Sequence, residues 1–263
     1  MGGHLKKLDK MKSHEKGCVS KHQGAFSEGD SCSYRWNGYE EMKSGSFDGK
    51  KKIDLYQIDF TIEENYKRLP YVYHELKIGH GKDNPSNWRY ANDPTDDKEA
   101  WWFKGENFKT AYLPYNHNYH HILPWDSLKD KLNLKELDIL QTAGYKLNDK
   151  LNMIILPTLY QYGIALKLPD HPYGHKKYNR AIANIIRDIK EEIKDNEAEN
   201  DCELDEETAP DFVNSIINWQ KEQFKVIVAY GEELSANDPE AEPNPNRIND
   251  CPMAKTAVAA GGS

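Results

Sequence analysis

Asn116-His117-Asn118-Tyr119-His120-His121-Ile122-Leu123-Pro124 opens the stretch that decides the fold. It passes through Leu151-Asn152-Met153-Ile154-Ile155-Leu156-Pro157 and closes with Asp170-His171-Pro172-Tyr173-Gly174-His175-Lys176-Lys177-Tyr178-Asn179. Five of the chain's ten histidines lie between Asn116 and Asn179. The first segment reads as a short strand that ends in a bend at Pro124, because proline cannot continue a paired strand. Asn152 sits at the start of a second apolar run, Leu151 to Leu156, which reads as a strand. From Tyr178 the period changes to that of a helix: Tyr178, Ile182, Ile185, Ile186, Ile189 and Ile193 share one face.

The histidines give this arrangement its chemistry. Neutral imidazole is the commonest protein metal ligand and titrates nearest neutral pH. Adjacent side chains on a strand point to opposite faces, so His120 and His121 face one centre only where the strand bends. One ring could then bind a metal while its neighbour takes a proton from water. His171 and His175 are four apart, and a helical turn would place them on one face. With one member of the pair they make three protein ligands and leave coordination positions open, as a catalytic site requires. Alone, the His-His pair reads as two ordinary strand histidines, one buried and one exposed. The three segments together favour a site. His117 reads as a residue that backs the metal ligands or as a surface residue, and His74 and His80 have no partner spacing. Lys176, Lys177 and Arg180 form a basic group at a helix start, which suits phosphate. An ordinary solvated helix face is an equal reading of those three.

The segments resemble the HNH/endonuclease VII (ββα-metal, or His-Me finger) superfamily, and within it the bacterial toxin nucleases known as the AHH-type group. The matching residues are His120-His121-Ile122-x-Pro124, Asn152-x-Ile154-x-Leu156-Pro157 and His171-x3-His175-x2-Tyr178-Asn179. One position departs from the pattern: Tyr119 stands where the group has Ala. The resemblance implies an α+β protein with a small ββα-metal core among helical and irregular additions. It implies His120 as a metal ligand, His171 and His175 completing the site, and His121 as the general base. Asn152 would fix the loop between the strands and steady that base. The cofactor would be one divalent metal ion, with Mg, Zn, Mn and Ni all open. The reaction would be hydrolysis of nucleic-acid phosphodiester bonds, DNA ahead of RNA. An unperturbed His121 would be mostly protonated below about pH 6 and unable to accept a proton. The toxin group further implies an antibacterial effector, exported by a specialised secretion system and neutralised in its producer by an immunity protein. Two alternatives stand beside it: a housekeeping or phage-type HNH nuclease, and an inactive binding module on the same fold.

Composition bounds the rest. The net charge of -8 is awkward for a nucleic-acid enzyme, but its distribution is uneven. From Asp195 onward 16 acidic residues stand against 4 basic ones, whereas the first 194 residues carry 27 acidic and 31 basic. The motif-bearing part is therefore mildly basic, which permits phosphate binding without arguing for it. Cys18, Cys32, Cys202 and Cys251 form no Cys-x2-Cys clip, so zinc-finger and thioredoxin-like readings fail. Reduced thiols are the expectation. No run approaches the roughly 18 apolar residues of a membrane helix. The Met1-Gly2-Gly3-His4-Leu5-Lys6-Lys7 start has no apolar segment behind it, so synthesis in the cytoplasm without a signal peptide and no membrane partner are expected.

The 263 residues divide into an irregular leader (1–50), a nuclease domain (51–195, core motifs 116–179), an acidic linker with a C-terminal helix (196–230), and a mobile tail (231–263). In the leader only the aromatic cluster Tyr34, Trp36 and Tyr39 is expected to pack. Ile53 to Phe60 reads as a strand, 79–97 as a long loop, and Asp126 to Leu140 as one helix. Thr61 offers a helix start, and the aromatic-rich runs 100–103 and 108–113 are expected to pack on the motif strands. The tail beyond Gly231 is acidic and is expected to be dispensable for chemistry.

Overall fold

The computed structural model describes residues 17–22, 26–57, 108, 115–199, 209–237 and 247–255. The readings made for Thr61, for 79–97, for 100–103, for 109–113 and for Cys202 lie outside them.

At the centre is an antiparallel pair. β3 (His117–His121) runs against β4 (Met153–Pro157), with His117 opposite Pro157 and His121 opposite Met153. All five residues of β4 are buried, so this strand is covered on both faces, as its unbroken apolar run requires. α1 (Tyr34–Ser44) lies against both strands. Gly38 permits the close approach: a Cβ there would stand 2.6 Å from Cδ1 of Tyr119. Ser33 caps α1 by accepting from the Trp36 N–H. The segment read as an irregular leader therefore holds a helix wherever its aromatics pack. A small hairpin of β1 (Ser46–Phe47) and β2 (Lys50–Lys51) follows α1.

Three further elements depart from the sequence expectation. Lys52–Tyr56 is a 3-10 turn rather than the start of a strand, with Tyr56 buried and its hydroxyl accepting from the Ile155 N–H at 3.3 Å. The single helix expected over Asp126–Leu140 is two, α2 (Trp125–Lys131) and α3 (Leu134–Thr142). The break falls at Asn133, which forms a reciprocal capping box with Glu136 and so begins a new helix. After β4 come α4 (Tyr160–Leu166), α5 (Lys176–Ala181) and α6 (Ala183–Glu199), the last running into the expected acidic linker.

The C-terminal part differs most. α7 (Ala209–Asn237) continues through Gly231, where the tail was expected to begin. Gly231 is required by contact: a Cβ would lie 2.3 Å from the Lys167 carbonyl oxygen. Residues 247–255 then pack back on the core, burying Ile248, Cys251 and Ala254. Arg247 forms an ion pair with Asp170, whose side chain is 2% exposed. The chain beyond Gly231 is thus partly built into the fold. None of the described helices is long and apolar enough to cross a membrane.

Candidate active site

β3, β4 and α5 supply the frame of the site. His120 projects from β3 to the side where the loop before α5 carries His171 and His175. The three ring centroids stand 4.9 Å (His120–His171), 4.7 Å (His120–His175) and 4.8 Å (His171–His175) apart. One ligand atom from each lies within 4.8 Å of the others. The expected helical turn does not bring His171 and His175 together, because α5 starts at Lys176 and both precede it. Backbone anchors do so instead. The His171 N–H donates to the Pro157 carbonyl at 2.7 Å, and the Asn118 side-chain amide donates to the His171 carbonyl at 2.7 Å. Each strand therefore holds His171 once. The Tyr178 hydroxyl donates to the Ile122 carbonyl at 2.9 Å, fixing α5 to the end of β3.

His121 occupies the same cleft in a different setting. Its Nε2 lies 2.9 Å from Oδ1 of Asn148, and an amide oxygen can only accept, so Nε2 carries the proton and Nδ1 keeps the lone pair. Asn148 is itself held by donation to the Ser20 carbonyl at 3.1 Å. The Tyr34 ring lies 5.5 Å from that of His121.

Asn152 is wholly buried and does not line the cleft. Its Oδ1 accepts from the Leu123 N–H at 2.7 Å, and its Nδ2 donates to the carbonyls of Leu123 (3.1 Å) and Leu147 (2.7 Å). It acts on position rather than on reacting atoms, clamping the turn after His121.

Burial depresses the basicity of all four histidines. It is the main cause of lowering His120 well below the ordinary value, with His175 and His171 adding repulsion. Burial lowers His121 to about 4 and His171 to about 3, and it lowers His175 as well. All are then neutral at neutral pH, and His121 stays neutral well below the pH 6 expected from an unperturbed ring. Neutral imidazole is the form that binds a metal or accepts a proton.

The donor set fits a metal ion. Among the described residues, both ring nitrogens of His120 and the Nδ1 atoms of His171 and His175 are buried without a hydrogen-bond partner. An unmatched buried polar atom is costly, and a shared cation would satisfy all three rings at once. Residues 101–218 match the family described as a nuclease family of the HNH/ENDO VII superfamily with conserved AHH. Over these residues, which carry the site, the chain is similar to the AHH nucleases. No curated protein and no solved structure gives a significant match.

The cleft has a volume of about 350 Å³. Its walls include Lys21, Arg35, Tyr34, Trp125 and Asp126, none of which the sequence reading selected. Lys176, Lys177 and Arg180 do not line it. Lys177 instead meets Asp250 at 2.9 Å. His117 is buried and also lines the cleft, with Nδ1 2.8 Å from the Tyr115 carbonyl oxygen. No local pattern around Lys21 or Arg35 marks them; only the docking of residues 17–22 and α1 brings them to the cleft.

Proposed function

We propose that this AHH nuclease is a metal-dependent endonuclease, acting on DNA in preference to RNA, with His120, His171 and His175 holding one divalent ion. The observation that carries the reading is a triangle of imidazoles, with both ring nitrogens of His120 and Nδ1 of His171 and His175 buried and without a hydrogen-bond partner, beside a fourth imidazole that is tied down through Nε2. The bound ion would supply Lewis acidity to a phosphodiester. His121 would take a proton from the attacking water at Nδ1, the atom Asn148 leaves open. Lys21 and Arg35 place positive charge on the cleft wall where a phosphate backbone would pass. An all-imidazole donor set favours a transition metal over Mg²⁺, which prefers oxygen ligands.

The test is plasmid cleavage by the full chain across Mg²⁺, Mn²⁺, Ni²⁺ and Zn²⁺, with chelator controls and an RNA substrate alongside. Metal-dependent cleavage that is lost in His121→Ala supports the reading. Cleavage that survives both chelation and His121→Ala defeats it.

The finer role is that of an antibacterial effector with a dedicated immunity protein, a reading that rests on the likeness of the His-His motif to toxin nucleases. Expression in a bacterial host should arrest growth, and His121→Ala should remove the arrest. Unimpaired growth with active soluble enzyme would instead favour the housekeeping alternative.

A further inference from the structure

A second group of metal-ligating side chains lies among residues whose sequence neighbours Lys21, Tyr34 and Arg35 line the cleft. Cys18, His22 and Cys32 each offer a ligand atom within 4.8 Å of the other two. Cys18 Sγ is 3.1 Å from His22 Nε2. Two separate pieces of backbone bring them together. Cys18 is held by a parallel bridge to Lys146: its N–H donates to the Tyr145 carbonyl at 2.9 Å and its carbonyl accepts from the Leu147 N–H at 2.8 Å. Cys32 sits in the turn before α1, where its N–H donates to Asp30 Oδ1 at 2.9 Å. A Cys-His hydrogen bond would account for the first two residues alone. The second thiol arrives from another segment and completes the group of three.

We propose that Cys18, His22 and Cys32 form a second metal site, a thiolate-imidazole centre for zinc or another thiophilic ion, distinct from the histidine triad. Zinc binds thiolate at about 2.3 Å and imidazole at about 2.0–2.1 Å, so tetrahedral ligands stand about 3.6 Å apart. Separations of at most 4.8 Å reach that value by side-chain adjustment on fixed backbone. Binding forms two metal-sulfur bonds and one metal-nitrogen bond, and the two thiol protons leave to solvent. No fourth His, Cys, Asp or Glu joins the group among the described residues, so the fourth position is one that solvent can take. Sulfur donors separate this site chemically from the all-nitrogen triad.

The consequence concerns the wall of the cleft. Lys21 lies between Cys18 and His22 in sequence, and Tyr34 and Arg35 follow Cys32 closely. All three line the cleft. A metal joining residues 18–22 to the start of α1 clips the two basic side chains into place beside His121. The chain then carries one ion for structure and one for the triad.

Cobalt(II) titration of the full-length reduced protein tests this, because only a thiolate ligand gives an intense charge-transfer band in the near ultraviolet. The band should appear and saturate at one equivalent, vanish in Cys32→Ser and in Cys18→Ser, and persist in His120→Ala. Total bound metal should fall by one ion per chain in either Cys variant. The wild-type band is informative even if a variant misfolds. No band in the folded reduced protein would overturn the proposal, as would a band that survives in a folded Cys32→Ser or Cys18→Ser variant. A Cys18–Cys32 disulfide found by peptide mapping of protein purified without reductant would also overturn it. Failure of the triad to support cleavage leaves this outcome untouched, since the band reports sulfur ligation alone.

Discussion

His121 Nε2 lies 2.9 Å from Asn148 Oδ1, and this one contact decides which nitrogen of the proposed base keeps its lone pair. Asn148 is buried and anchored in turn to the Ser20 carbonyl, so the imidazole is oriented by a residue that is itself fixed. Partners of this kind hold a ring in one tautomer and one plane.

Asn148→Ala should therefore lower kcat by about 10–100-fold, the usual range for losing such a partner. Affinity for the metal should stay near that of the wild type, because Asn148 touches no member of the triad. Asn148→Asp keeps an acceptor at the same place and should recover part of the rate. Equal loss of metal affinity and rate would mean that Asn148 supports the whole site rather than His121.

Members of the histidine group should separate by function. His121→Ala should abolish cleavage with little change in metal affinity by calorimetry. His175→Ala should weaken both, since its ring stands 4.7 Å from His120 in the triangle. Matching losses of metal binding in the two variants would reverse the roles.

The C-terminal segment should prove necessary. Removing Arg247 takes the guanidinium from Asp170, next to His171, where the acid is 2% exposed. Breaking a buried pair in this way costs about 3–5 kcal/mol. Arg247→Ala should lower Tm markedly and loosen the metal site. Truncation after Gly231 removes the same partner and the end of α7, so it should be worse. A truncated chain that cleaves as well as the full one would show that residues 247–255 do not support the fold.

Cleavage at saturating metal should keep its plateau below pH 6. Burial holds His121 to about 4, so the base remains unprotonated there, and a nearby cation lowers the value further. Proton uptake should show only towards pH 4 or below. A midpoint near the unperturbed value of about 6.5 would place the base in solvent or on another residue.

Stability of the metal-free protein should fall in acid. Burial lowers His117 to about 4, His121 to about 4 and His171 to about 3, with His120 also well below its ordinary value. In the unfolded chain each titrates near about 6.5. Between those values the unfolded state binds protons that the folded state refuses, so stability rises with pH. The contribution is complete above about pH 6.5 and is lost as pH falls through the folded values, by up to about 1.4 kcal/mol per pH unit for each ring. Tm should drop steadily from pH 7 to 4.5, and His117→Phe should reduce the slope by one ring's share. A Tm independent of pH over that range would show that these rings are solvated.

The sequence by itself determined the two motif strands and the order of the motifs, and it singled out three histidines that the fold brings within 4.8 Å of one another. The strands are legible because they rest on a local pattern, an apolar run bounded by Asn152 and Pro157. It also determined the helix face from Tyr178 to Ile193, a matter of period alone. Tertiary structure decided how His171 and His175 converge: the Pro157 carbonyl and the Asn118 side-chain amide hold the backbone of His171, where spacing suggested a helical turn. It decided the tautomer of His121, through an Asn148 that lies 27 residues away in sequence. It decided that the basic wall comes from Lys21 and Arg35 while Lys177 meets Asp250. It also drew residues 247–255 onto the core, where Arg247 meets Asp170. Each of these depends on contacts between segments far apart in the chain. Local composition carries periodicity and turn chemistry, but it holds no record of which distant backbone carbonyl or carboxylate a side chain will meet once the core has closed.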